Sequence, residues 1–126
     1  MLIRKPVVEN MFYPGNELEV KKMIKGFEKE IKLDNTLRPR ALIVPHAGYI
    51  YSAYQAVHAY QLMKLSQQQW DTVVIINPNH TGLGNGPNNL SSATEWETPL
   101  GFVPIDVEFS AALPIAEYNA AHRNEH

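Results

Sequence analysis

Two unbroken apolar runs, Ala41-Leu42-Ile43-Val44 and Thr72-Val73-Val74-Ile75-Ile76, restrict what this chain can fold into more than any other feature. Neither alternates with polar residues, so each reads as a strand buried on both faces, which is the habit of parallel sheets. Each run is followed by a proline and then a histidine, in Val44-Pro45-His46 and in Asn77-Pro78-Asn79-His80. Proline has no N–H to give to a ladder and stops each strand.

Between the runs, Ala53, Ala56, Val57, Tyr60 and Met63 recur at helical intervals, and Ser52 with Gln55 stands at capping-box spacing. Strand, helix, strand is a βαβ unit. Residues 41 through 76, 36 in all, match the ~30 or more that such a unit needs, and its crossover is expected to be right-handed. In open parallel sheets the ligand site lies beyond the carboxyl ends of the strands, where His46 and His80 both fall. Paired strands lie about 4.8 Å apart, so the two imidazoles are expected to converge on a single metal ion or catalytic site.

The chain has 126 residues, enough for one domain with a core. Its 11 basic and 13 acidic residues leave a net charge of -2, which points to neither a nucleic-acid nor a membrane partner. No signal peptide is evident, and no apolar stretch approaches the ~18 residues of a membrane span, so a cytoplasmic location is expected. With no cysteine in the chain, histidine and carboxylate are left as metal ligands.

Toward the amino terminus, Pro6, Val7, Val8 and the Met11-Phe12-Tyr13-Pro14 stretch suit an extended edge segment. Asn16, with Glu19 three residues on, predicts a helix start, and Val20, Ile24, Phe27 and Ile31 draw its apolar stripe. Glu17 with Lys21 and Glu28 with Lys32 are spaced for i, i+4 pairing on its wet face. Lys21, Lys22, Lys25, Lys29 and Lys32 interleave with glutamates and read as a solvated surface rather than a phosphate site.

Beyond His80, the glycines of residues 81–87 form a rim loop. They are not a dinucleotide fingerprint, because Pro87-Asn88-Asn89 cannot open the helix that a pyrophosphate needs. Residues 90–96 read as a further strand, Thr98-Pro99-Leu100-Gly101 as a turn, and residues 102–105 as a short extended piece. Asp106 is placed to cap a helix running to Leu113, where Pro114 interrupts.

A lone histidine is read first as a hydrogen-bonded structural residue, and His58, inside the helix of the βαβ unit, has no further claim. His122 and His126 stand four apart, as a zinc pair on one helix face would, but without the His-Glu-x-x-His order. Tyr49, Tyr51 and Tyr54 beside His46 fit either a pocket lining or ordinary packing.

Taken together, Phe12-Tyr13-Pro14, residues 45–52 (PHAGYIYS), Asn77-Pro78-Asn79-His80, residues 96–101 (WETPLG) and residues 122–126 (HRNEH) resemble the MEMO family, also called AmmeMemoRadiSam system protein B. The motifs follow the family's order along the whole chain. The resemblance implies an α/β fold like that of class III extradiol dioxygenases, here a partly parallel sheet with a βαβ unit and flanking helices. Residues 1–126 then form a single partial α/β domain, the N-terminal half of a MEMO-like domain.

His46 and His80 match the family's two histidine ligand positions, and the third ligand is expected in the missing C-terminal half. Tyr49, Asn79, Glu125 and His126 are the expected pocket residues. Iron or copper is the expected divalent metal, and the implied activity of the complete protein is non-heme redox chemistry on an unidentified small molecule. The other function the family implies is a non-enzymatic adaptor that binds a peptide in the same cleft. Departures from the family pattern are Ala53 and Asn77, where glycine is expected, and Glu9-Asn10 in place of a small-residue pair.

Two imidazoles alone leave an ion undercoordinated, so this chain by itself is expected to bind metal poorly and to be inactive. Apolar strands left uncovered would favour homo-oligomers or docking of the missing half.

Overall fold

In the computed structural model, which describes residues 2–33, 37–83, 89–114, 117–118 and 125–126, the chain forms two compact units. One is Val8–Asp71 and the other combines Met1–Val7 with Thr72–His126.

The first unit is a helix pair. Helix α1 covers Glu17–Glu30 and starts as its sequence predicts, the Asn16 side-chain oxygen accepting from the Glu19 N–H at 2.9 Å. Helix α2 covers Tyr49–Ser66. Val20 of α1 and Ala53 and Val57 of α2 are buried and form the core of this unit, with Phe27 set edge-on to Tyr54 at 6.0 Å. Glu28 does not need Lys32: half-buried, it accepts from Gln61 and lies 3.3 Å from the Lys64 ammonium, both on α2. The Glu17–Lys21 ion pair forms as the spacing predicts.

The start of α2 differs from the capping box expected at Ser52. The cap lies four residues earlier, at Gly48, where the orphan N–H of Tyr49 donates to the Phe12 carbonyl at 2.7 Å and needs no side-chain cap. Ser52 is instead buried, its hydroxyl donating to the Ala47 carbonyl at 2.8 Å. His58 behaves as a structural histidine, with Nδ1 2.8 Å from the Tyr54 carbonyl.

The second unit holds the strands β1 (Ile3–Arg4), β2 (Asn89–Leu90), β3 (Glu95–Thr98), β4 (Gly101–Pro104) and β5 (Glu117–Tyr118), and helix α3 (Val107–Ala112). β1 pairs in parallel with β3, which pairs antiparallel with β4, and β2 pairs in parallel with β5. The strand expected over residues 90–96 is divided. At the break between β2 and β3 the Ser91 hydroxyl oxygen accepts from the Ala93 N–H at 3.2 Å.

The turn expected at Thr98 to Gly101 is present and joins β3 to β4, with Gly101 at φ +117°, a conformation that L side chains rarely adopt. Asp106 caps α3 through the Phe109 N–H at 2.9 Å, and the helix stops at Leu113 ahead of Pro114. The Thr72 hydroxyl also donates to Asp106, and these two bonds hold its carboxyl below the usual aspartate range.

The fold is thus mixed α/β with a partly parallel three-stranded sheet, but residues 41–44 and 72–76 belong to no strand. A strand exists only where a neighbour takes its N–H and C=O groups, and none of the described residues pairs with these runs. Ile43 is fully exposed, as is most of Val73, Val74, Ile75 and Ile76. Among the described residues, no helix is long and apolar enough to cross a membrane.

Candidate metal centre

His80 lies in a loop whose shape is set by its own side chains. The Asn79 side-chain Oδ1 accepts from the Gly82 N–H at 2.8 Å and the Thr81 hydroxyl at 3.2 Å, while its Nδ2 donates to the Leu83 carbonyl at 2.8 Å. This is the turn chemistry for which asparagine is suited, and Gly82 completes it at φ +65°. Residues 84–88, the rest of the expected rim loop, lie outside the described residues.

Glu125 grips the same loop from the far end of the chain. Its buried carboxylate, 6% exposed, accepts from the His80 N–H and the Thr81 N–H, each at 2.9 Å, and from the Thr81 hydroxyl. Two successive backbone N–H groups aimed at one anion form a small nest. The Thr81 hydroxyl, joined by those N–H groups and by His80, holds the Glu125 carboxyl below its ordinary range, against burial, which pushes the other way.

The residue after Glu125 brings a second imidazole to His80. The rings of His80 and His126 stack with centroids 4.6 Å apart and planes 10° from parallel, and their ligand nitrogens lie within 4.8 Å of each other. Metal–nitrogen bonds of about 2.0–2.1 Å let two donors on one ion stand up to about 4.2 Å apart, and since each lone pair lies in its own ring plane, the stacked rings must turn out of parallel to share an ion. His80 is exposed and His126 half-buried, which leaves the pair open on one side to further ligands. The Asn77 amide steadies this end by donating to the His126 carbonyl at 3.3 Å.

The structure therefore gathers His80, Asn79, Glu125 and His126 within one unit. His46 and Tyr49 belong to the other unit, His46 exposed ahead of α2 and Tyr49 in its first turn. The Tyr49 ring stands 5.6 Å from that of Tyr13, and burial pushes its phenol above the usual value. His122, the expected partner of His126 on a helix face, lies outside the described residues.

Two contributors escape a reading of the sequence. Thr81 supplies a hydroxyl and an N–H to Glu125, and its only signal is its place beside His80. Arg4 donates to the Glu125 carbonyl while its guanidinium lies 4.8 Å from the Trp96 ring centroid, and nothing in the sequence near Arg4 marks it.

A mixed α/β chain that sets two imidazoles face to face, one loop of the pair clasped by a buried carboxylate, offers nitrogen donors that could hold a metal ion. The family model described as Memo-like protein matches residues 4–126. A MEMO1 family protein of Aquifex aeolicus is 39% identical over 129 residues, covering 100% of this chain and 44% of that protein. Another from Methanopyrus kandleri is 38% identical over 136 residues, covering 98% of this chain and 47% of its own length. A third, from Nitrosopumilus maritimus, is 39% identical over 120 residues, 91% of this chain and 42% of that protein. The chain belongs to the Memo-like family, and it spans less than half the length of these relatives.

Proposed function

We propose that this chain contributes histidine ligands to a metal centre: His80 and His126, which lie together in one unit, and His46, put forward on its sequence motif. The observation that carries the reading is the stacked His80–His126 pair, with ligand nitrogens within 4.8 Å. His46 enters because it follows its apolar run and proline as His80 follows its own. Three neutral imidazoles suit iron or copper as well as zinc, and a bound redox-active ion would supply electron transfer to a small substrate held beside it.

In this reading the complete protein is a non-heme metal-dependent oxidoreductase with an extradiol dioxygenase-like fold, working in the cytoplasm. Residues 41–44 and 72–76 become the strands of the βαβ unit when the polypeptide equivalent to the rest of a Memo-like domain supplies their neighbours. The protein's own residues position the centre: Glu125 fixes the loop that carries His80, and Asn79 holds the turn behind it. His126 presents its ring beside that of His80.

The deciding experiment is metal content by inductively coupled plasma mass spectrometry for the complete protein, as wild type and as a His46→Ala, His80→Ala, His126→Ala triple variant. The reading expects bound metal in the wild type and its loss in the variant. Equal content in the two overturns it. Peptide binding that persists after chelation and in the triple variant would instead favour the adaptor function.

A further inference from the structure

Arg4 is far from the histidines in sequence, yet its contacts lead directly to them. β1 and β3 run in parallel with Arg4 in register with Trp96, so the two side chains are neighbours on the small sheet. The guanidinium lies against the indole at 4.8 Å and donates an N–H to the main-chain oxygen of Glu125. An arginine can stack through its flat face and still donate from its edge, which a lysine ammonium cannot do.

The carbonyl that Arg4 holds belongs to the peptide group that joins Glu125 to His126. That group is planar, so fixing its oxygen fixes the plane from which His126 springs. The Glu125 carboxylate is fixed as well, by the N–H groups of His80 and Thr81. The segment is thus pinned at two points, one to the sheet through Arg4 and one to the His80 loop through its own side chain. Two pins limit where the His126 side chain starts relative to the His80 loop, and the pair is found stacked with planes 10° apart.

We propose that Arg4, braced on Trp96, is a positioning residue for the histidine pair: its grip on the Glu125 carbonyl sets the direction of the His126 imidazole toward His80. For its bearing on metal, this inference rests on the function proposed above. The geometric claim does not. Loss of an outer partner of a metal-ligating histidine typically weakens binding by about 10–100-fold, and that is the effect expected here.

The test uses the wild-type protein and the variants Arg4→Lys, Arg4→Ala and Trp96→Leu, with thermal melting to confirm that each folds. In the metal-free state, nuclear Overhauser contacts between the ring protons of His80 and His126, and the upfield shifts that stacking causes, report the geometry. Cobalt(II) is then titrated in, and affinity is read together with the visible ligand-field bands. Folded Arg4→Ala is expected to lose the ring–ring contacts, to bind cobalt about 10–100-fold more weakly and to show altered bands, with Arg4→Lys intermediate. Trp96→Leu should shift the same readouts in the same direction.

Ring contacts that persist in folded Arg4→Ala, or in Arg4→Lys and Trp96→Leu should Arg4→Ala not fold, overturn the proposal. A wild type that shows the contacts but takes up no cobalt removes the metal reading, while loss of the contacts in the Arg4 variants still supports the positioning role. A wild type that binds cobalt with affinity unchanged in every variant overturns the positioning role and leaves the metal reading standing.

Discussion

The imidazoles of His80 and His126 lie face to face, 4.6 Å between centroids, although 45 residues separate them in the chain. The stack brings two ligand nitrogens together and leaves His80 exposed, so removing the His80 ring should cost binding far more than folding. His80→Ala is an exposed substitution and should change stability by only about 0.5 kcal/mol. Its loss of metal affinity should exceed the ~10–100-fold that accompanies loss of an outer partner. His58→Ala is the control, since that ring is engaged with Tyr54 in the other unit, and it should keep its metal. Metal titration beside thermal melting checks all three expectations, and equal affinity in His80→Ala and wild type would sink the ligand assignment.

Asp106 offers a pH-dependent reading of the second unit. Its carboxyl is held low first by the Thr72 hydroxyl and then by the Phe109 N–H. A depressed carboxylate stabilises the fold above the ordinary aspartate range, and that contribution is lost as pH falls through the lowered native value. The Phe109 amide resonance should therefore titrate with a midpoint below the ordinary value of about 3.9. Thr72→Val should move the midpoint upward, and Asp106→Asn should abolish the titration. A midpoint unmoved by Thr72→Val would exclude the hydroxyl as the main cause.

Gly82 is required by backbone geometry rather than by space. A Cβ built there meets none of the described residues within 4 Å, but φ is +65°. Gly82→Ala should thus cost about 1–2 kcal/mol, the penalty of the left-handed conformation, while Gly82→Asn should cost less because asparagine tolerates that region. Chemical denaturation measures the difference. Equal costs for the two would point to a clash and contradict the open surroundings.

How much of this was legible in the sequence depends on how local each feature is. The starts of α1 and α3 were readable because Asn16 and Asp106 cap N–H groups three residues away, at Glu19 and Phe109. The start of α2 was not, because the acceptor that satisfies Tyr49 is the distant Phe12 carbonyl. The Asn77 to His80 motif marked the loop that Glu125 grips, whereas Arg4 could not be found. Its importance comes from Trp96 across a ladder and from Glu125, 121 positions on. The two apolar runs were read as strands on their composition and form none among the described residues: a strand also needs a neighbour, and composition does not say where that neighbour lies.

Those runs yield the last prediction. Val73, Val74, Ile75 and Ile76 are 61%, 58%, 66% and 91% exposed, so nothing in this chain's described residues covers them. Their amide protons should exchange quickly in this chain alone. If the polypeptide equivalent to the rest of a Memo-like domain supplies the missing neighbours, adding the remainder of the Aquifex aeolicus relative, fused or as a separate chain, should protect them. The substitution Val74→Asp gives the thermodynamic counterpart. In this chain alone it replaces an exposed side chain and should be worth about 0.5 kcal/mol or less. In the completed domain it buries an unpaired carboxylate and forfeits the roughly 1.5–3 kcal/mol of a buried valine, so it should be strongly destabilising. Protection that instead rises with the concentration of this chain alone would mean that a second copy covers the run. Fast exchange and a neutral Val74→Asp in the completed protein would show that residues 72–76 are not a buried strand at all.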